Sequence, residues 1–218
     1  MAPKKRGSRP IAPSAAAPGR HGANGKGAGL VVWRTDPGLK YCVLGGLLNV
    51  PSKARIARGL SGADGFPRDA QFKMTKECPR QVALSDALEN FGGMAVVGSA
   101  LKDFVMAHSP KSVEALPVRV INHKGRDAGA EFWILNPLAT VDCIDQGASQ
   151  VIWNAIDPTQ ICGFKKFVLT DAAIPPDLLL FRPKFLEQRV IVRRELADAI
   201  RAKGFTGLSF AEADTFMG

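Results

Sequence analysis

The chain has 218 residues, 46% hydrophobic and 22% charged, with 29 Lys and Arg against 20 Asp and Glu. These are ordinary values for a folded globular chain long enough to bury a real core. There is no apolar run of about 18 residues to cross a membrane. Four scattered cysteines (Cys42, Cys78, Cys143, Cys162) form no CxxC pair and stand at no ligand spacing from His21, His108 or His123, which argues against a zinc site.

The excess of positive charge is uneven. Residues 1–29 hold Lys4, Lys5, Arg6, Arg9, Arg20 and Lys26 and no acid, which leaves 23 basic against 20 acidic residues for the remainder. This stretch is rich in Pro, Gly and Ala and poor in large apolar residues. It cannot bury enough surface to offset ordering entropy, so residues 1–29 read as a disordered basic tail and 30–218 as a single domain. The tail is no secretory signal, because no apolar segment follows its charges. Single cysteines in a chain without such a signal indicate a reduced, cytoplasmic protein. The stretch Gly22–Gly29, GANGKGAG, is a linker rather than a phosphate loop: Arg20 stands where the first glycine belongs, Gly27 replaces the Ser or Thr after Lys26, and no strand precedes it.

The body opens with two strands, Leu30–Arg34 and Tyr41–Gly45, joined by a turn in which Pro37 presets φ and Gly38 supplies a positive one. Residues 51–80, punctuated by Gly and Pro, read as a loop-rich connection. Ser85–Gly93 reads as a short helix with Ser85 as its N-cap and a glycine stop. Met94–Val97 is a continuous apolar run suited to a buried strand. Ser99 then caps a helix whose Leu101, Phe104 and Val105 share one face, and Ala115–Ile121 is the next strand. Between Gln188 and Phe210 the pattern recurs: Val190–Val192 as strand, Leu196, Ala199 and Ile200 as a helical face, Lys203-Gly204 as its stop, and Gly207–Phe210 as a return strand. Each copy is strand, helix, strand. Glu131–Asn136, Lys165–Thr170 and Leu178–Pro183 complete the strands, and His123–Gly129 is a polar hairpin loop. The pattern gives an α+β fold with a mixed, mostly antiparallel sheet and a few helices, organised as two related strand–helix–strand units.

A catalytic constellation is hard to assemble. Asp142 and Asp145 in VDCID have no His, Lys or Ser near them in sequence as a third member. Cys143 between them has acidic neighbours that raise its pKa, the wrong direction for a nucleophile. Ser99 lies outside any G-x-S-x-G elbow. No cofactor motif is present, so neither an enzyme nor a cofactor is expected. Arg193 and Arg194 open the second helix where its dipole disfavours cations, which points either to a solvated face or to an acid, in this chain or in a partner, that pairs with Arg193 or Arg194. Trp33, Trp133 and Trp153 are candidate core or interface aromatics, and one of Phe132 and Trp133 must leave the core face.

From Leu84 to Phe210 the chain resembles a bacterial domain family of predicted immunity proteins from polymorphic toxin systems. The resemblance rests on FGGMAVVGSALKDFV, LPVRV, FWILNPLATVDCIDQGASQ, LLLFRP and RVIVRRELADAIRAKGFTGLSF, in that order. It implies a small cytoplasmic protein that binds and neutralises a cognate toxin by covering its active site or substrate path. It also points to the acidic turn and its surroundings, Asp142, Asp145, Ser149 and Trp153, with Arg182 after LLLF, as partner-binding residues. Inhibitors of nucleases tend to be acidic, and this body is not, which argues against a nuclease as the toxin. The alternative is a nucleic-acid-associated protein that uses Pro3–Arg9, PKKRGSR, to contact phosphates.

Overall fold

Val96, Val97, Ile191 and Val192 are all completely buried, as uninterrupted apolar runs require of central strands. The computed structural model describes residues 29–213 and Phe216. The basic stretch expected at 1–29 therefore lies, apart from Gly29, outside the described residues. In chain order the elements are β1 (Leu30–Thr35), β2 (Val43–Leu44), α1 (Lys53–Ala57), β3 (Gln71–Lys73), β4 (Ala87–Asn90), β5 (Ala95–Gly98), α2 (Ser99–His108), β6 (Val113–Ile121) and β7 (Phe132–Pro137). There follow β8 (Thr140–Val141), β9 (Gln150–Trp153), β10 (Ile161–Lys166), β11 (Leu180–Pro183), β12 (Ile191–Arg193), α3 (Arg194–Ala202) and β13 (Leu208–Glu212). The fold is α+β with mostly antiparallel sheets.

Two large sheets carry the structure. One has the strand order β2-β4-β5-β7-β6-β3 and the other β13-β1-β12-β11-β8, while β9 and β10 form a separate hairpin. Laid side by side, the sheets share one plan. In the first, β5 and β6 flank β7 and α2 crosses between them; in the second, β12 and β13 flank β1 and α3 crosses between them. Gly98 pairs with Phe132 and Val97 with Trp133; Arg193 pairs with Leu30 and Val192 with Val31. Outside them Ala87 pairs with Val97 as Leu180 pairs with Val192. At each rim a short parallel strand closes the set, Val43 on Glu89 and Thr140 on Arg182. Gly98 and Arg193, and again Val113 and Leu208, stand 95 residues apart. The recurring strand–helix–strand pattern is thus a full duplication of five strands and a helix. The second unit takes its central strand, β1, from ahead of the first.

The contact between the units is reciprocal. β1 packs on β4 as β7 packs on β11, and α2 meets α3. Side chains alternate accordingly. Ala95, Val97 and Leu135 from one sheet, and Val31, Trp33 and Val192 from the other, join Leu101, Val105, Leu196 and Ile200 of the helices in a central cluster. The opposite faces build outer clusters, Leu88, Val96 and Ile134 with Phe72 on one side, Val32, Phe181 and Ile191 with Phe164 and Phe167 on the other. Leu101 and Leu196 hold equivalent places at 0% and 1% exposure. Leu101→Ala and Leu196→Ala are each expected to lower the unfolding free energy by about 3 kcal/mol, and by similar amounts. Urea denaturation measures this; a gap of several-fold between the two would contradict their equivalence.

Several local readings need correction. Ser85–Gly93 is no helix. Ala87–Asn90 is strand β4, because the Asn90 amide closes a hairpin: its Oδ1 accepts from the N–H of Gly92 and Met94, both at 3.1 Å, and its Nδ2 donates to the Met94 carbonyl at 2.6 Å. Gly93 adopts φ 62° in that turn. Ser85 donates its hydroxyl to the Ala87 carbonyl at 2.6 Å rather than capping anything. Gly98, not Ser99, is the N-cap of α2 and makes no side-chain cap. Ser99 instead accepts from the Trp133 indole at 3.3 Å and donates to Glu131 at 3.2 Å. Residues 51–80 contain the short α1 and β3 inside their loops. Of the Phe132–Trp133 pair, Phe132 is buried and Trp133 is half-buried beneath Lys102, whose Nζ lies 4.4 Å from the ring centroid. Of the two readings for the arginines opening α3, the acid partner holds, and for both: Arg193 meets Asp171 at 3.0 Å, and Arg194 grips Glu212 through two bonds of 2.8 and 2.6 Å.

Candidate protein-binding surface

Between β8 and β11 the second unit carries an insertion whose outer part is the β9–β10 hairpin. Two register shifts, at Ile161/Gly163 and Phe164/Lys166, interrupt the ladder and increase its local twist. Phe164 faces inward and stacks on Phe167 at 4.8 Å. Along β9, by contrast, Ile152 and Trp153 are 51% and 39% exposed, and Ile156 at the tip is 95% exposed. The tip is held by its own polar side chains. Asn154 Oδ1 accepts from the N–H of Ile156 at 2.8 Å and of Asp157 at 3.1 Å, and Asp157 Oδ1 accepts from the Thr159 N–H at 3.1 Å and hydroxyl at 2.5 Å. The bonds from Thr159, with Arg58 nearby, hold the Asp157 carboxyl below its usual pKa. Arg58, at the end of α1, reaches Asp157 at 3.7 Å and ties the tip to the first unit's own insertion.

The residues singled out in sequence fall into two groups. Asp142 and Trp153 lie on this surface. Asp142 is exposed and pairs with Lys184 Nζ at 3.1 Å. Lys184 also sits 4.8 Å from the Phe185 ring centroid, and Phe185 meets Trp153 edge-on at 5.5 Å. Asp142, Lys184, Phe185 and Trp153 therefore form a continuous line, while Ile152, the neighbour of Trp153 in the strand, projects from the opposite face of β9. Phe185 holds φ 70°, left-handed backbone that a bulky residue adopts only under constraint. Its N–H donates to Glu187 at 2.9 Å and its carbonyl accepts from the Ile161 N–H at 2.7 Å. Composition gave no signal for Lys184 and Phe185, because their role comes from the fold bringing β11 beside the hairpin.

Asp145, Ser149 and Arg182 face inward to the chain itself. Asp145 Oδ1 accepts from the Ala148 N–H at 2.9 Å and closes the turn. Ser149 Oγ accepts from the Val168 N–H at 2.9 Å and donates to its carbonyl at 3.2 Å, which fastens the base of the insertion. Arg182 is only 2% exposed. Its guanidinium donates to the carbonyls of Pro137 (3.0 Å), Ala57 (3.0 Å) and Glu187 (2.5 Å) and to Asn136 Oδ1 (3.1 Å). Burial lowers its pKa to about 10, offset in part by Glu187, so it remains charged at neutral pH. Cys143 is completely buried; burial first, and Asp142 second, push its thiol up to about 12. Among the described residues no group of three or more His, Cys, Asp or Glu side chains could hold a metal ion, and no helix is long and apolar enough to cross a membrane.

Residues 47–215 match the profile of an immunity protein family. The chain belongs to that family, Imm11. The match reaches beyond the Leu84–Phe210 stretch whose motifs suggested it, and takes in α1, β3 and most of the first unit's insertion. A search of curated proteins gave no match.

Proposed function

We propose that this protein binds a cognate bacterial toxin in the cytoplasm and neutralises it sterically, by covering its active site or substrate path, with no chemistry of its own. The reading rests on family membership and on one observation above all: Ile152, Trp153 and Ile156 are held out to solvent on a hairpin outside both large sheets. Exposed apolar residues gathered on a braced element mark an interaction site rather than a core. Trp153 is the anchor, a large side chain already fixed edge-on against Phe185, so little rotamer freedom remains to be lost on binding. Asp142 and Lys184 form the polar rim. Asp145, Ser149 and Arg182 serve the interface by shaping the loops that carry it.

Co-expression with the toxin encoded beside it tests the proposal. The wild-type chain should restore growth and form a stable complex with that toxin. A Trp153→Ala/Ile156→Asp variant should weaken the complex by about 2 kcal/mol or more. Its unfolding free energy should fall by only about 1–2 kcal/mol, the scale of the lost Trp153–Phe185 ring contact, because Ile156 is almost fully exposed. Full rescue by the variant would place the interface elsewhere. Failure of the wild-type chain to rescue growth from an active toxin would refute the reading itself.

A further inference from the structure

The duplication makes the two junctions between the units equivalent, and only one of them is filled. At the β7–β11 junction the Arg182 guanidinium lies on Pro137 and Asn136. The Asn136 amide donates to Glu114 at 2.7 Å and to the Leu60 carbonyl at 3.1 Å, and Glu114 accepts from the Gly62 N–H at 2.8 Å. The first unit's insertion thus seals this junction, with its polar side chains partnered. By register, Glu89, Arg34 and Thr35 hold the corresponding places at the β1–β4 junction. There a cleft of about 220 Å³ remains, lined by Trp33, Arg34, Thr35, Glu89, Arg189 and Phe216 among others. Trp33 is 8% exposed, and its buried indole N–H has no acceptor. Arg34 and Arg189 crowd one aromatic ring, 5.7 and 5.3 Å from the Phe216 centroid. No carboxylate of the described residues pairs with either guanidinium, and Glu89 accepts from the Thr35 hydroxyl. The Trp33 N–H, buried without an acceptor, is a costly group to leave unmet, and two exposed guanidiniums, Arg34 and Arg189, line the same cleft, with only the Glu89 carboxylate among the lining residues to offset them.

The geometry points to this cleft as the seat for the carboxylate of an Asp or Glu side chain from the bound toxin. It deepens, and rests on, the toxin-binding reading. Arg34, Arg189 and Glu89 together carry one net positive charge, so a monoanion brings the cleft to neutrality whereas a phosphate dianion would overshoot beside Glu89. The indole supplies a single directed N–H, and the guanidiniums supply paired donors that suit a carboxylate. Chain continuity supports the same partner: Lys184 and Phe185 of the exposed surface and Gln188 and Arg189 of the cleft belong to one loop, between β11 and β12. A toxin lying on the hairpin has this cleft at the far end of that loop.

Two measurements on the full chain decide the matter. In the first, the Trp33 indole N–H is followed by NMR, assigned with Trp33→Phe, while acetyl-Gly-Glu-Gly-amide is added at constant ionic strength. A single carboxylate contact gives millimolar affinity, so the titration runs to about 50 mM. The Trp33 signal should shift saturably with this peptide and stay put with acetyl-Gly-Gln-Gly-amide, and the shift should vanish in Arg34→Gln/Arg189→Gln. An unmoved Trp33 signal, an equal response to inorganic phosphate, or an undiminished response in the double variant would each overturn the assignment. In the second, Arg34→Glu/Arg189→Glu is compared with wild type against the neighbouring toxin, with folding checked by thermal melting. The variant should bind at least about 30-fold more weakly. Wild-type protection with equal protection by the variant overturns the cleft and leaves toxin binding intact; absence of wild-type protection overturns toxin binding, and the Trp33 titration then judges the cleft alone.

Discussion

Arg182→Ala is expected to cost about 4 kcal/mol of unfolding free energy, a loss on the scale seen when a buried charged network loses one member. The reason lies in what the substitution leaves behind. Three carbonyls, those of Ala57, Pro137 and Glu187, and the Asn136 Oδ1 all accept from this one guanidinium. Each buried acceptor left without a donor costs roughly 1–3 kcal/mol, reduced where water can enter. The added cavity contributes further. Arg182→Lys should recover little, because one ammonium cannot reach acceptors arrayed around a planar fork. Chemical denaturation of both variants is the check, and a loss below about 1 kcal/mol in Arg182→Ala would show that the network is incidental.

Gly207→Ala is expected to cost at least about 4 kcal/mol and to impair folding in cells, an effect few single substitutions reach. Gly207 has φ 79°, where any Cβ is strained, and that Cβ would fall far inside contact with the Ala87 carbonyl and the Ser85 hydroxyl. Neither neighbour can withdraw easily. The Ala87 N–H donates to the Thr206 carbonyl at 3.0 Å, and Asp86 accepts from the Thr206 N–H and hydroxyl at 2.8 and 2.7 Å. This seam joins the first unit's β4 to the approach of β13, so prying it open separates the units. Soluble yield and melting temperature beside wild type would measure the effect; a melting point within a few degrees would mean that the seam is soft.

The fold was legible wherever burial alone decides structure. Continuous apolar runs marked β1, β5 and β12, alternation marked β6, and the helical spacing of Leu101 and Val105 marked α2. The repeat showed as a matched spacing of apolar residues, but its full extent was hidden, because register and strand order leave no trace in composition. Ser85–Gly93 misled because Ser, Glu and Gly serve helix caps and hairpin turns alike, and Asn90 decided the issue through tertiary bonds. Of the candidate surface, the family motif singled out Asp142 and Trp153, both of which the fold leaves exposed. Arg182 was legible as a position, not as a role: an arginine after an apolar run gives no sign of whether it will be swallowed. The cleft at Trp33 was illegible, since Arg34, Glu89 and Arg189 meet only once both sheets exist.

The place of β1 has a consequence for how the molecule is made. Emerging from the ribosome, this strand is among the first parts of the folded body, yet its hydrogen-bonding neighbours β12 and β13 are among the last. The earlier half can close around β7 while translation continues, but Leu30–Thr35 must wait for the closing segment before it gains an edge on either side. Assembly therefore ends with a long-range clasp, a step slow by its loop-closure entropy. A chain permuted to join the end of β13 to β1, and opened between β7 and β8, would shed that delay and fold as two successive halves.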